Sequence, residues 1–237
     1  CRFSTNESED PISLSQYLEK IPDTQKEIYY ISAETSAQAL ASPHLEGFKS
    51  KNIPVLIMTD AIDQFWLPMV GSFKEKKFTS ITQGKINLDE LDSKNKDKKN
   101  KSNNDKDKQD KEYVDLIAQL KVVLGDQVKD IRLSSKLTDS PVCLVADEGD
   151  MDIAMEQLMA QRDSNYKGAP RILEINGDHS LIKNMKSLLS KKESNDLVSD
   201  AGTLLFEQAR LMEGKMPADP AQFSKIMNQF LLKAIPN

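Results

Sequence analysis

Several residue types that carry chemistry or special structure are scarce in this sequence. Among 237 residues there are two cysteines, two histidines, one tryptophan and nine glycines. The cysteines, Cys1 and Cys143, are too few for a disulfide framework, and Cys143 sits in an apolar run, which is typical of a buried reduced thiol. A reducing compartment fits this usage best, and we expect a cytoplasmic protein.

Long apolar runs and a basic excess are also missing. The longest apolar candidate, residues 53–58, has the length of a strand, whereas a membrane-spanning helix needs about 20 residues. The formal net charge is -5, and the lysines are intermixed with acids. No basic stripe could follow a phosphate backbone. We therefore expect neither a membrane nor a nucleic acid as partner.

The amino-acid sequence contains no recognisable catalytic or cofactor-binding motif. His44 and His179 lie far apart, and neither has a Ser, Cys or metal-ligand partner at motif spacing, so both are predicted to be surface or turn residues. No dinucleotide fingerprint or phosphate loop occurs. The sequence predicts no enzyme site, no metal and no cofactor in this chain, although a divergent α/β enzyme stays open as a weak alternative.

The first residue is Cys1 rather than Met, and no leader-like segment follows it. We interpret the chain as part of a longer protein. A mature lipoprotein, which also begins with Cys, is the alternative.

The first part of the chain reads as alternating helices and strands. Ser13 and Gln16 have the spacing of a capping box that opens a short helix. Strands are predicted at 28–31 and 54–58, joined by helical residues 34–41 and 45–51, followed by a short helix at 61–70. Two strands joined by helices form a β-α-β unit, normally parallel and right-handed.

A strongly charged segment follows. Of the 21 residues at 92–112, 14 are Asp, Glu or Lys, and none is aliphatic or aromatic. Such a segment cannot bury enough apolar area to offset its ordering entropy. We interpret it as a solvated connector that can be helical near its end. A nucleic-acid-binding tail is the weaker alternative, because six acids interrupt its eight lysines.

The last part of the chain is predicted to mix strands with amphipathic helices. Strands are expected at 131–133, 142–145 and 172–175, and helices at 113–124, 151–161, 181–189, 197–212 and 223–234. Asp219 followed by Pro220 is a strong helix start.

The predicted class is therefore α+β or α/β. A small α-β-α subdomain with a parallel β-α-β unit (1–88) precedes the connector (89–112) and a mixed α/β domain ending in a helical bundle (113–237).

Three apolar clusters suggest interaction surfaces. Phe65 and Trp66 belong to a segment too short to turn all its apolar side chains inward, although the tryptophan could equally anchor the core. Met155, Leu158 and Met159 lie on one helical stripe; most such stripes are core, but methionine adapts easily to varied partners. The terminal helix has a wide apolar face that needs a cover, either the preceding helix or a second copy of the pair.

Several segments carry a resemblance to a known family. The sequences IYYISAE (28–34), SPHLEGFK (42–49) and IPVLIMTDAID (53–63) are similar to the end of the middle domain of bacterial, HtpG-type heat-shock protein 90 chaperones. Residues 128–142 resemble the start of that family's C-terminal domain. Residues 176–179 resemble its Asn-Pro-Asp-His turn, with Gly177 replacing the usual Pro. The similarity extends over nearly the whole chain apart from the lysine-rich segment.

The resemblance implies a homodimeric, stress-related chaperone driven by ATP and Mg²⁺, whose nucleotide site lies in a part that is not in this chain. It implies that unfolded or partly folded client proteins bind Phe65, Trp66, Met155, Leu158 and Met159. A purely structural dimerisation scaffold without client contacts is the alternative. The dimer interface is predicted to use Leu204, Leu205, Leu211, Phe223, Ile226, Met227, Phe230 and Leu231.

Overall fold

The structure, a computed structural model, forms two compact units. It describes the backbone of residues 1–88, 99–163, 166, 168–190 and 195–235, while the side chains of 99–110 and 190 are outside the description. The first unit comprises Cys1–Lys99, Ser135–Asp139 and Val145–Ala169. The second comprises Asn100–Ser134, Ser140–Leu144 and Pro170–Asn237. Helices and strands occur in both, so the predicted mixed α/β class is confirmed at that level.

The regular elements match most of the predicted ones, with ends shifted by a few residues. The strands are β1 (Ser4–Thr5), β2 (Glu27–Ser32), β3 (Leu56–Met58), β4 (Ser72–Phe73), β5 (Lys76–Ser80), β6 (Val128–Leu133), β7 (Val142–Val145) and β8 (Arg171–Ile175). The helices are α1 (Leu14–Lys20), α2 (Ser36–Leu40), α3 (Glu46–Ser50), α4 (Asp63–Val70), α5 (Lys99–Leu124), α6 (Ile153–Arg162), α7 (Ser180–Ser190), α8 (Asn195–Met212) and α9 (Pro220–Ala234).

The first unit is built on a five-stranded sheet in the order β1-β3-β2-β5-β4. β2 and β3 are parallel, with Ile31 opposite Ile57. α2, a 3₁₀ turn (Pro43–Leu45) and α3 connect them. The predicted parallel β-α-β unit is therefore present, and its two strands end side by side at Ser32 and Met58.

Three strands of this sheet, β1, β4 and β5, are not indicated by the sequence pattern. β5 pairs in parallel with β2, placing Phe78 opposite Ile28. Two lysines, Lys76 and Lys77, begin it, and only Phe78 and Ser80 are buried. β5 forms a strand because it pairs with β2, and not because its own residues are apolar.

Both faces of the five-stranded sheet are covered by apolar side chains. Tyr29 and Ile31 of β2 join one cluster, in which the Tyr29 and Phe48 rings meet edge to face at 5.0 Å. Ile28, on the opposite face of the same strand, joins a second cluster with Tyr17. Burying each large apolar side chain contributes about 1.5–3 kcal/mol. A one-residue slip of β2 would exchange its two faces, so this burial also fixes its register.

Local signals set the ends of several helices. Ser13 Oγ accepts from the Gln16 amide N–H at 3.3 Å, and Gln16 Oε1 accepts from the Ser13 N–H at 2.9 Å. This is the predicted capping box. Asp219 accepts from the backbone of Ala221 and Gln222 at the start of α9, which confirms the predicted N-cap.

The second unit packs helices against a three-stranded sheet in the order β6-β8-β7. One face of α5 enters its core through Tyr113, Leu116, Leu120 and Leu124. Gly202 of α8 lets the two helices approach closely, since a Cβ there would lie 2.4 Å from Leu120 Cδ2. Replacing this glycine would require the Leu120 side chain to move.

The charged connector is only partly visible. Residues 89–98 lie outside the described residues, and the backbone from Lys99 onward is helical because α5 begins there. In the described part of the chain, no helix combines the length and the apolar character needed to cross a membrane. The domain boundaries at 88 and 112 stay a prediction.

Candidate functional site

α4 leaves a group of apolar side chains in solvent. Leu67 is buried in the first unit, whereas Met69 on the same short helix is 86% exposed. Phe65 is exposed on one edge as well. We call the exposed group the α4 patch; it consists of Ile62, Phe65, Met69 and Val70.

Trp66 differs from its neighbour Phe65. Its indole N–H donates to Asp63 Oδ1 at 2.7 Å. Its ring lies 5.5 Å from the Phe78 ring, edge to face, and 6.1 Å from the Phe3 ring. Trp66 is thus half-buried and attaches α4 to the sheet. Its packing matches the alternative interpretation of the sequence, in which the tryptophan anchors the core.

Asp63, the first residue of α4, is buried. Burial raises its pKa above the ordinary value of 3.8, while the hydrogen bonds from Trp66 and from the Asp60 amide act in the opposite direction. Over the pH range just above the ordinary pKa, the Asp63 carboxyl therefore stays protonated in the native state but is already ionised in the unfolded chain. This contribution to stability is complete below the unfolded pKa and is lost as pH rises through the folded one.

We therefore expect the substitution Asp63→Asn to remove a pH dependence. The free energy of unfolding of the wild type, minus that of the variant, should fall as pH rises above the ordinary carboxyl pKa of 3.8, because an amide has no charge to bury. Urea unfolding of both proteins at several pH values measures the difference. A difference that stays flat, or rises with pH, would contradict the burial of this carboxylate.

α6 is fixed at its start by buried polar contacts. Asp152 caps the helix by accepting from the Ala154 amide at 2.9 Å. Its other oxygen accepts from the hydroxyls of Ser80 and Thr82, the latter at 2.9 Å. These bonds attach the helix to the end of β5, within the first unit.

The predicted α6 residues occupy intermediate positions. Ile153 and Glu156 are buried. Met155, Leu158 and Met159, which we call the α6 stripe, are half-buried. The stripe is therefore neither a closed core nor a fully solvated surface, and apolar area on it remains accessible to a partner. It lies in the same unit as the α4 patch.

α8 and α9 hold the residues predicted for self-association. Leu205 and Ile226 are buried within the second unit, so they can support an interface but do not present surface to it. Leu204, Phe223 and Phe230 are half-buried, and Phe230 packs against the same core. The remaining predicted residues are exposed: Leu211, Met227 and Leu231.

α9 also exposes a leucine that the sequence reading leaves out. Leu232 is 75% exposed and stands beside Leu231. We call Met227, Leu231 and Leu232 the α9 face. Helical spacing from Ile226 would have shown that Leu232 falls outside the stripe that packs on α8, and hence that the helix is apolar on more than one side.

The two histidines lie in different local environments. His44 lies in the 3₁₀ turn, one of the two predicted locations, and is buried there. His179 accepts from the Leu181 amide through Nδ1 at 3.1 Å. Outside the gaps in the description, no three His, Cys, Asp or Glu side chains are grouped to hold a metal ion.

Comparison with known proteins identifies a family that this chain matches. The profile of the family described as "Hsp90 protein" matches residues 1–236. A protein named "Chaperone protein HtpG" from Roseobacter denitrificans is 40% identical over 237 residues, covering 99% of this chain and 38% of that protein. Proteins of the same name from Streptomyces coelicolor and Wolbachia pipientis wMel are 36% identical over 228 residues and 37% over 234.

These relatives are much longer than the chain. The Streptomyces match covers 96% of this chain and 35% of that protein, and the Wolbachia match covers 98% and 36%. The chain thus spans little more than a third of the curated relatives that it matches.

Proposed function

The chain belongs to the Hsp90 protein family, and from that premise we propose that it supplies two parts of an ATP-dependent chaperone. One part is a self-association surface on α8 and α9. The other is a portion of the apolar surface that holds unfolded or partly folded client proteins. The whole protein would assist protein folding in the bacterial cytoplasm, for which the buried Cys143 thiol, outside any disulfide, is suited.

The contrast within α4 carries the client-binding part of this proposal. Leu67 and Trp66 pack inward, yet four apolar neighbours stay in solvent, and the half-buried α6 stripe belongs to the same unit. Exposed apolar patches of this kind mark interaction sites in soluble proteins. A long, unbranched methionine such as Met69 adapts to apolar partners of different shape.

The α9 face supports the self-association part. α9 packs on α8 through Ile226 and Phe230, and its other side presents Leu231 and Leu232 to solvent. In a two-fold dimer the same patch would serve both copies, and pairs of helices would form a four-helix bundle. Burial of these leucines would remove exposed apolar area from solvent.

ATP and Mg²⁺ chemistry is assigned to the part of the longer protein that this chain does not span. The chain lacks a phosphate-cradling glycine loop, and we expect it neither to bind ATP with micromolar affinity nor to hydrolyse it. Saturable nucleotide binding in a calorimeter would contradict this assignment.

The α6 stripe provides a direct test of client binding. We expect the double substitution Leu158→Ser and Met159→Ser to weaken binding of a labelled unfolded protein at least about fivefold, because apolar contact area is lost. The half-buried positions should cost only about 1–2 kcal/mol of unfolding free energy each. Fluorescence anisotropy and urea unfolding measure the two effects.

A matched control distinguishes client contacts from a general loss of helix quality. Ala160 is exposed on the same helix, and Ala160→Ser should leave both readouts close to wild type. Unchanged client binding in the double variant would favour the alternative of a structural scaffold. A loss of unfolding free energy well above the roughly 4 kcal/mol expected for the two positions together would show that the stripe is core.

A further inference from the structure

A cavity of about 310 Å³ lies in the first unit at the carboxyl ends of β2 and β3. Ser32 and Met58, the last residues of these parallel strands, both line it. One wall is α6, which contributes Ala154, Gln157, Leu158 and Gln161. These four positions repeat with helical spacing, so a single face of α6 closes the cavity. The carboxyl ends of parallel strands are where α/β sheets generally bind ligands.

The charged groups of this cavity all have one sign. Glu34 and Asp60, in the loops that follow the two strands, are its charged lining residues, and no Lys, Arg or His is found among the described residues that line it. The carboxylates disfavour phosphate or carboxylate ligands and favour a cation. A nucleotide or an acidic peptide does not fit this charge.

The remaining surface suits an aliphatic stem ending in a hydrogen-bond donor. Met58, Leu158 and two small alanines, Ala33 and Ala61, supply apolar contact. Ser32 lines the cavity with a buried Oγ that has no hydrogen-bond partner within the described part of the chain. An unpaired buried hydroxyl is costly, and a donor entering the cavity would satisfy it.

A neutral contact already holds one of the carboxylates in place. Gln161 Nε2 of α6 donates to Glu34 Oε1 at 3.1 Å, joining the helix to the loop after β2. The carboxylate is therefore positioned at the rim of the cavity before any ligand arrives. Preorganisation of this kind lowers the entropy that binding must overcome.

We propose that this cavity takes one lysine or arginine side chain of an extended client segment. The aliphatic stem of that side chain would lie on Leu158 and Met58, and its cationic head would face Glu34 and Asp60. Leu158 belongs to both the cavity and the α6 stripe, so the apolar neighbours of the basic residue would reach the stripe. This inference rests on the proposed client binding and adds a preference to it: apolar segments that contain a basic residue.

The preference is tested with two peptides that differ at one position. Both carry the same apolar segment, one with Lys and the other with Gln at its centre, and anisotropy gives their affinities for the 237-residue chain. We expect the Lys peptide to bind about tenfold more tightly, as a charge-assisted hydrogen bond in a preformed site would give. Glu34→Gln combined with Asp60→Asn should bring the ratio close to one while leaving the Gln peptide unaffected.

A charge-matched control is available in the same unit. Glu19 and Asp23 are exposed and do not line the cavity, so Glu19→Gln with Asp23→Asn removes the same net charge and should keep the ratio. Equal binding of the two peptides to the wild type would overturn the inference. It would also be overturned if the ratio of the two affinities stayed the same in the Glu34→Gln, Asp60→Asn variant, or if it fell as much in the Glu19→Gln, Asp23→Asn control. If neither peptide binds the wild type, the proposed client binding fails as well. Circular dichroism checks that both variants remain folded.

Discussion

Deletion of residues 219–237 is expected to convert a self-associating chain into monomers. The segment contains α9, whose exposed leucines have no cover within the described chain. Deletion also removes the buried Ile226, and Phe230, which packs against the core of the second unit, so a loss of folding could follow. A surface variant avoids that ambiguity: Leu231→Glu with Leu232→Glu leaves both core residues in place.

The surface variant should weaken the dimer by a large factor. Burial of each leucine contributes about 1.5–3 kcal/mol, and a two-fold interface uses every position twice. Even if the leucines are only partly buried in the dimer, losing four of them across the interface should raise the dissociation constant at least about a thousandfold. Sedimentation equilibrium over a range of concentrations measures this constant.

Two exposed valines on α5 provide the matched control. Val114 and Val122 belong to the same unit, and their replacement by Glu adds the same charge to a different helix. The control should sediment as the wild type does. A leucine variant that keeps the wild-type association, or a valine variant that loses it, would place the interface elsewhere.

Trp66→Ala is expected to destabilise the first unit strongly, whereas Phe65→Ala should affect mainly client binding. Removing the indole leaves a gap beside Phe3 and Phe78 and deprives the buried Asp63 carboxyl of its 2.7 Å hydrogen bond. The expected cost is about 3 kcal/mol, near the low end for a large aromatic because Trp66 is only half-buried. Phe65 is more exposed and should cost about 1 kcal/mol or less.

The two substitutions should therefore separate stability from binding. Urea unfolding followed by circular dichroism reports the stability of each variant, and anisotropy of a labelled unfolded protein reports client binding. Phe65→Ala should bind the client several-fold more weakly than wild type at nearly wild-type stability. If Phe65→Ala proves as destabilising as Trp66→Ala, the α4 patch is part of the core. The single tryptophan should also emit at a blue-shifted wavelength in the native chain.

Local chemistry made several elements predictable from sequence. The Ser13 and Gln16 capping box and the Asp219 N-cap depend on neighbours within three residues, and both are observed. The parallel pairing of β2 and β3 followed from two apolar runs joined by helical residues, a connection with few alternatives.

The orientation of individual side chains was less predictable. Trp66 packs inward because Phe3 and Phe78, distant in sequence, meet its ring, and no local pattern encodes that contact. Leu205 and Ile226 were predicted at an interface, yet the fold buries them between helices of one chain. Periodicity identifies an apolar face but does not say which neighbour covers it. The cavity beside α6 likewise requires strand ends and a helix separated by about a hundred residues.

We propose that this chain is a self-associating, client-holding part of an Hsp90 chaperone. Fluorescence-detected sedimentation velocity of a labelled unfolded protein, alone and with excess chain, tests it most directly. The account predicts that the label moves with a dimer of the chain and that the Leu158→Ser, Met159→Ser variant still dimerises but carries less label. A label that sediments at its own rate, beside a chain of any oligomeric state, would contradict the account.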